Sequence, residues 1–326
     1  MTATEPPMLV NFVLWLMRRS PAARRLAWRG FHELLGHRYG GLDWWTFMNY
    51  GFAELGEDPR PIPLAPEDEA ERYCAQLYAH VTGAVDLEGR DVLEVGCGRG
   101  GGVSYVARYL NPRRATGLDA ARTQVDFCRR VHGGPKVEFV HGEAERLPFD
   151  DDSFDAVVNV ESSFCYRDMD AFLAEVRRVL RPGGHFLFAD VRLAFEADAL
   201  VDQLARAGFT VIGARDISGN VCRALELDAE RRRKVAATLV PAYLRHVLYA
   251  FVGVEGTRIP TLLSSGLLRY LSVTMQKDGA QLAAPIRGTV AARTSEPREL
   301  VGAEQAARQG ARVAGFELTQ RDSPAA

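Results

Sequence analysis

One stretch of the sequence has the glycine spacing of a nucleotide-binding loop. It runs from Glu94 to Gly102 and contains five glycines: Gly96, Gly98, Gly100, Gly101 and Gly102. Glycine lets a backbone turn tightly and approach a ligand, because no Cβ stands in the way. Asp119 follows further along the chain, where a carboxylate can accept hydrogen bonds from both hydroxyls of a ribose. The spacing also satisfies the GxGxxG pattern of dinucleotide-binding proteins, so by itself it predicts a nucleotide cofactor without deciding which one.

These residues must be positioned by regular elements, and the middle of the chain repeats one unit: a short apolar run, a turn and a helical pattern. Strands are predicted at 91–95, 114–118, 137–140, 154–160 and 185–189, and helices at 103–110, 124–131 and 168–180. Strands that alternate with helices in this way predict an α/β fold with a doubly wound, Rossmann-like sheet. Ligands of such sheets bind beyond the carboxyl ends of the strands, so the residues that directly follow each strand are the first candidates for a site.

An acidic residue also follows the third predicted strand. Glu143 there could accept a hydrogen bond from the amine of an adenine, and Leu147 and Phe149 could form flat apolar walls for the ring. Residues 180–184 then predict a turn back into the fifth strand. Taken in this order, the motifs resemble class I S-adenosylmethionine-dependent methyltransferases. The resemblance implies S-adenosylmethionine as the cofactor.

Four longer stretches are similar to the phthiotriolone/phenolphthiotriolone dimycocerosates methyltransferase family and to methyltransferases that tailor bacterial natural products. They are residues 92–105, 147–155, 159–166 and 251–257. Members of that family O-methylate a hydroxyl of a polyketide-derived lipid, so the resemblance implies a hydrophobic acceptor rather than one particular lipid. The family carries a histidine at the position of Phe164, and any base role of that histidine does not transfer to this chain.

The candidate cofactor-binding residues come from the strand ends and from the resemblance: Glu94, Gly96, Gly98, Gly100, Asp119, Glu143, Ala144, Asn159 and Tyr50. An acceptor hydroxyl must also lose its proton as it attacks the methyl group, which requires a base. Glu161 is the first candidate, because it follows the fourth strand and burial would raise its pKa toward the working range. Tyr166 and His246 are weaker candidates, and Glu161 could instead only anchor a loop or the cofactor's amino group. No metal site is predicted, because Asp150–Asp152 lie on a turn, where acidic residues are common.

Composition excludes several classes of protein. The 326 residues are 47% hydrophobic, enough for a full core, and the formal net charge of -2 gives no overall positive field to hold nucleic acid. The five cysteines are odd in number and scattered, with no CxxC pair, which favours a reducing cytoplasm. The longest apolar run, 8–17, is far shorter than the roughly 20 residues that a membrane-spanning helix needs.

The segments outside the predicted core suggest a lid, a cap and a tail. Residues 1–70 are predicted as an amino-terminal helical lid, 71–217 as the cofactor-binding core, 218–267 as a helical cap, 268–279 as the last core strand and 280–326 as a mobile extension. Residues 6–32 contain five arginines and no acidic residue. This composition suits a lid helix packed on the body of the protein, or a helix on an anionic membrane surface.

The sequence therefore predicts a methyltransferase that acts on an oxygen of a hydrophobic polyketide, terpenoid or lipid in bacterial secondary metabolism. Transfer to carbon, where an alkene or enol attacks the methyl group, is one alternative. A cyclase or isomerase of the same fold that transfers no methyl group is another, and a non-catalytic binding module is a third. Homo-oligomer formation stays open.

Overall fold

Seven strands form one mixed sheet at the centre of the chain. The computed structural model describes residues 29–30, 32–34, 36–56, 62–239 and 258–278. Within them the strands are β1 (Asp91–Val95), β2 (Arg114–Asp119), β3 (Val137–His141), β4 (Phe154–Val160), β5 (Leu180–Leu193), β6 (Phe209–Asp216) and β7 (Leu268–Lys277). Their order across the sheet is β3-β2-β1-β4-β5-β7-β6. Only β7 is antiparallel to its neighbours, β5 and β6. The predicted doubly wound sheet is confirmed.

Helices connect the strands, as the repeating pattern predicts. The described helices with complete bounds are α1 (Arg72–Thr82), α2 (Gly101–Tyr109), α3 (Arg122–His132), α4 (Met169–Val179), α5 (Ala194–Arg206), α6 (Ser218–Leu227), α7 (Ala229–Leu239) and α8 (Arg258–Ser264). Short 3-10 turns cover Pro66–Glu71 and Ser163–Cys165. Most of these helices are amphipathic, and their buried residues belong to the same hydrophobic clusters as β1 and β4, whose residues are almost all buried. Among the described residues, no helix is long and apolar enough to cross a membrane.

The fifth strand differs from its prediction. It begins at Leu180 and ends at Leu193, whereas the sequence predicts residues 185–189. Residues 181–184 bulge out of the strand pairing instead of forming a separate turn, because Leu180 and His185 pair with Phe154 and Ala156, which lie only two residues apart on β4. The strand continues to Leu193 because β7 pairs with residues 185–193.

The first described residues of the chain are helical. Those described between 29 and 39 are helical and are called the amino-terminal helix below; irregular backbone follows them to residue 56. Helices α6, α7 and α8 lie in the stretch predicted as a cap. Residues 1–28, 57–61, 240–257 and 279–326 lie outside the described residues, so the membrane-contact alternative and the mobile tail cannot be compared with the structure. The division into lid, core and cap stays a prediction.

Candidate active site

A cavity opens at the carboxyl ends of the central strands. It encloses about 1040 Å³, its open mouth included. Five stretches of the chain line it: residues 96–102 without Gly100, 118–121, 142–145, 160–166 without Ser163, and 46–49. Tyr78 and, from the amino-terminal helix, Arg29 and His32 complete the lining. The first four ranges follow β1, β2, β3 and β4, as expected for the ligand site of a doubly wound sheet.

The glycine loop, residues 96–102, forms the floor of the cavity. Gly96 and Gly98 have φ angles of 75° and 51°, which L residues with a Cβ rarely adopt. A Cβ on Gly96 would also lie 2.6 Å from Ser162 Oγ. Gly100 does not line the cavity; it precedes α2, and a Cβ there would meet Cys128 Sγ at 2.9 Å.

Two of the predicted carboxylates line the cavity. Asp119 is held by backbone amides, since its Oδ2 accepts a hydrogen bond from Gly98 N at 2.9 Å and its Oδ1 accepts one from Ala121 N at 2.8 Å. Glu143 Oε1 lies 3.4 Å from a guanidinium nitrogen of Arg29. Ala144, also predicted, lines the cavity beside Glu143. Both carboxylates therefore lie on the cavity, and backbone amides hold Asp119 in place.

Three other predicted cofactor residues lie behind the cavity wall. Glu94 accepts a hydrogen bond from Tyr78 Oη at 2.5 Å, and burial raises the pKa of its carboxyl to about 8. Asn159 is completely buried and donates to Val95 O and Tyr166 Oη. The Tyr50 side chain packs on the hydrophobic core, because the backbone of residue 50 is turned toward Glu161. The structure thus gives these residues supporting positions and does not place them on the cavity.

The predicted adenine walls are wrong. Leu147 is only 4% exposed and belongs to the core cluster under the sheet. Phe149 packs edge-on against Phe154, with ring centroids 5.0 Å apart. Both apolar side chains pack against the core, and neither lines the cavity.

Glu161 lies on the cavity directly after β4. Its Oε1 accepts hydrogen bonds from Tyr50 N and Tyr270 Oη, both at 2.7 Å. Its φ of 47° is unusual for a residue with a side chain, and such backbone strain is concentrated at functional sites. Burial raises the pKa of Glu161 to about 7, and the two hydrogen bonds oppose that shift.

The two weaker base candidates have different outcomes. Tyr166 lines the cavity, but its hydroxyl is bonded to Asn159 Nδ2 at 2.8 Å and lies 3.0 Å from Ser162 Oγ. Burial also raises its pKa well above the usual value, so this hydroxyl is poorly suited to accept a proton. His246 lies outside the described residues.

The structure brings residues to the site that the sequence did not single out. Tyr270 reaches Glu161 from the antiparallel β7, and no local motif indicates that contact. Phe47, Met48 and Asn49 also line the cavity, from a segment that precedes the predicted core.

Segment 46–50 is held by buried charged groups. Glu71, 7% exposed, accepts hydrogen bonds from Thr46 N at 2.9 Å, from Thr46 Oγ1 at 2.6 Å and from Phe47 N at 3.3 Å. Arg231 pairs with Glu71 at 3.3 Å, and Arg232 donates to Tyr50 O at 2.8 Å. These contacts make the segment a fixed wall of the cavity.

A buried arginine joins the glycine loop to the chain before this segment. Arg99, 1% exposed, donates to Trp45 O at 2.6 Å and Leu42 O at 2.9 Å. Its guanidinium carbon lies 3.7 Å from the ring centroid of Phe127. Burial lowers the pKa of Arg99 to about 10, which leaves it charged at neutral pH.

Comparison with known proteins identifies the family. Residues 93–188 match the family described as "Methyltransferase domain". The chain is 39% identical over 259 residues to the phthiotriol/phenolphthiotriol dimycocerosates methyltransferase of Mycobacterium tuberculosis, which covers 79% of this chain and 95% of the relative. The chain belongs to the class I S-adenosylmethionine-dependent methyltransferases.

Two further similarities agree with this assignment. The methyltransferase is 46% identical over 200 residues to a fatty-acid O-methyltransferase of Mycolicibacterium smegmatis, covering 61% of this chain and 72% of the relative. Its fold is similar to that of the geranyl diphosphate C-methyltransferase of Streptomyces coelicolor A3(2), solved with S-adenosyl-L-homocysteine, with a TM-score of 0.55 at 17% identity. That match covers 78% of this chain and 98% of the solved one.

The cavity of the methyltransferase fits S-adenosylmethionine. At Gly96 the absence of a Cβ leaves space beside Ser162 for a ligand to approach the loop. Backbone amides hold the Asp119 carboxylate in place, where it could accept hydrogen bonds from the two ribose hydroxyls. Glu143 suits the adenine amine. Within the described part of the chain, no three His, Cys, Asp or Glu side chains are grouped to hold a metal ion.

Proposed function

We propose that this methyltransferase methylates a hydroxyl oxygen of a hydrophobic polyketide, terpenoid or lipid in bacterial secondary metabolism. The observation that carries the proposal is a carboxylate of near-neutral pKa, Glu161, on the wall of the cofactor cavity. When bound, S-adenosylmethionine supplies a methyl group on a sulfonium centre. The residues of the chain must then position the acceptor oxygen and remove its proton.

Glu161 has the contacts of a base. Its Oε1 is held by two donors, and among the described residues no hydrogen bond reaches Oε2. The fixed oxygen keeps the carboxylate in one orientation, and Oε2 supplies the lone pair that takes the hydroxyl proton. A pKa near 7 lets the group accept this proton and release it again at neutral pH.

The side chains around Glu161 support an apolar acceptor. Phe47, Met48 and Phe164 line the cavity with it. Apolar walls exclude water and bind hydrocarbon, and both effects favour transfer to a lipid-like hydroxyl over transfer to water. The two mycobacterial relatives are named for phthiotriol dimycocerosates and for fatty acids as acceptors, which also supports a hydrophobic acceptor.

The test is the turnover of Glu161→Gln, which keeps the shape of the side chain and removes its basicity. S-adenosylhomocysteine release is measured with long-chain secondary alcohols and fatty acids as acceptors. With alcohols, we expect kcat to fall about a hundredfold, with unchanged affinity for S-adenosylhomocysteine. Glu145→Gln is the matched control, because Glu145 also lines the cavity but accepts its hydrogen bond from Arg167 N, and it should turn over normally.

Product analysis separates the alternatives. A methyl ether supports the proposal, and a new carbon–methyl bond supports transfer to an alkene or enol. A methyl ester formed equally well by Glu161→Gln supports a fatty-acid acceptor, because a carboxylate has no proton to lose. An altered acceptor formed without S-adenosylhomocysteine release supports a cyclase or isomerase.

The proposed location of the enzyme is the cytoplasm. The five cysteines are free thiols in the structure, as expected in a reducing compartment.

A further inference from the structure

The amino-terminal helix lies against the side of the cavity that holds the two nucleotide-binding carboxylates. Arg29 and His32 line the cavity together with Asp119 and Glu143. Arg29 Nη1 lies 3.4 Å from Glu143 Oε1. Burial lowers the pKa of His32, and the nearby negative charge of Asp119 opposes that shift. Two side chains of this helix therefore line the same cavity as the two carboxylates.

A glutamate fixes the helix in this position. Glu33 Oε1 accepts a hydrogen bond from Arg122 N at 2.8 Å, and its Oε2 accepts one from Thr123 N at 3.1 Å. These amides begin α3, which has no capping side chain at its own N-cap position. Glu33 thus satisfies donors that every helix leaves open at its amino end. A second link runs from Gln124 Nε2 to His32 O at 3.1 Å.

We propose that Arg29 and His32 form the outer wall of the adenosine subsite, and that Glu33 is the positioning residue that holds them there. The cavity has a volume of about 1040 Å³ with the helix in place. The helix therefore lines the subsite and leaves room for a ligand. Arg29 pairs with the Glu143 carboxylate, and the His32 side chain lines the same cavity as Asp119. This inference rests on the cofactor and does not depend on the proposed acceptor.

Calorimetry on the full chain with two probes tests the inference. S-adenosylhomocysteine is the first probe, and 5′-methylthioadenosine, which keeps the adenosine but lacks the amino-acid end, is the second. We expect Arg29→Ala, His32→Ala and Glu33→Ala to weaken both probes by about three- to tenfold, the loss of about one hydrogen bond. His37→Ala is the matched control, because His37 is an exposed histidine of the same helix, and its affinities should not change.

Three results would overturn the inference. One is an affinity for both probes within about twofold of wild type in His32→Ala and Glu33→Ala, which is less than one hydrogen bond contributes. Another is a loss confined to S-adenosylhomocysteine, because it would place the effect at the amino-acid end. If Glu33→Ala does not fold, Glu33→Gln replaces it, since glutamine keeps one acceptor oxygen. The third result is an unchanged affinity of Glu33→Gln for both probes. Neither probe needs an acceptor, so failure of the proposed O-methylation leaves this test intact.

Discussion

Glu161 gives the proposed reaction a pH dependence whose sign follows from its pKa. A base must be ionised to accept a proton, and burial places the pKa of this carboxyl at about 7. The kcat of the wild type should therefore rise with pH through about 7 and level off above it, falling about tenfold for each pH unit below the pKa. Glu161→Gln should lack this acidic limb, whereas Glu145→Gln should keep it. The same acidic limb in Glu161→Gln would contradict the assignment of the base.

Asp119 should contribute directly to the affinity for the cofactor. Asp119→Ala removes the predicted hydrogen bonds to the ribose and releases the amides of Gly98 and Ala121. We expect S-adenosylhomocysteine to bind about ten- to a hundredfold more weakly, because two hydrogen bonds correspond to about 1–3 kcal/mol. Asp126→Ala is the control for calorimetry, since Asp126 is an exposed aspartate on α3. Equal affinities in the two variants would remove Asp119 from the ribose site.

At the scale of elements, the cavity wall depends on a buried carboxylate. Glu71 holds segment 46–50 through three hydrogen bonds, so Glu71→Ala leaves the amides of Thr46 and Phe47 without their acceptor, whereas Arg231 keeps its pair with Asp228. We expect the free energy of unfolding to fall by about 2–5 kcal/mol, because each buried donor left without a partner costs about 1–3 kcal/mol. Glu69→Ala, on the same turn, removes only a solvent-exposed ion pair with Arg72 and should cost at most about 1 kcal/mol. Denaturant titration measures both, and similar losses would show that segment 46–50 does not depend on Glu71.

The sequence predicts the elements of this enzyme better than their side-chain partners. Strand positions follow from local apolar runs between turns, and the six predicted strands are all present. The length of β5 was missed because it depends on β7, which lies some 80 residues later in the chain and pairs along it. Local pattern carries no information on such distant pairing.

The same limit applies to the site. Glycine positions and strand-end carboxylates are local signals, and Asp119, Glu143 and Glu161 were found on the cavity. Leu147 and Phe149 were misplaced because sequence cannot tell an apolar residue of the core from one of a ligand wall. Tyr270 and Glu71 could not be singled out, because each acts through a contact with a residue far away in the chain.

At the scale of the whole molecule, Arg99 has a thermodynamic consequence. It belongs to the loop that receives the cofactor, yet its guanidinium holds the carbonyls of Leu42 and Trp45, just before the wall of the proposed acceptor side. Binding of a ligand to the cofactor loop or to the acceptor wall costs conformational entropy, because the ligand orders the residues that it contacts. Since Arg99 links the two, the second ligand to bind pays less of this cost, and each ligand raises the affinity for the other by the same factor. A long-chain alcohol should therefore bind several-fold more tightly when S-adenosylhomocysteine is present, about 1 kcal/mol of coupling. In Arg99→Met the alcohol should bind with nearly the same affinity in the presence and in the absence of S-adenosylhomocysteine. This variant would therefore bind its two substrates independently of each other.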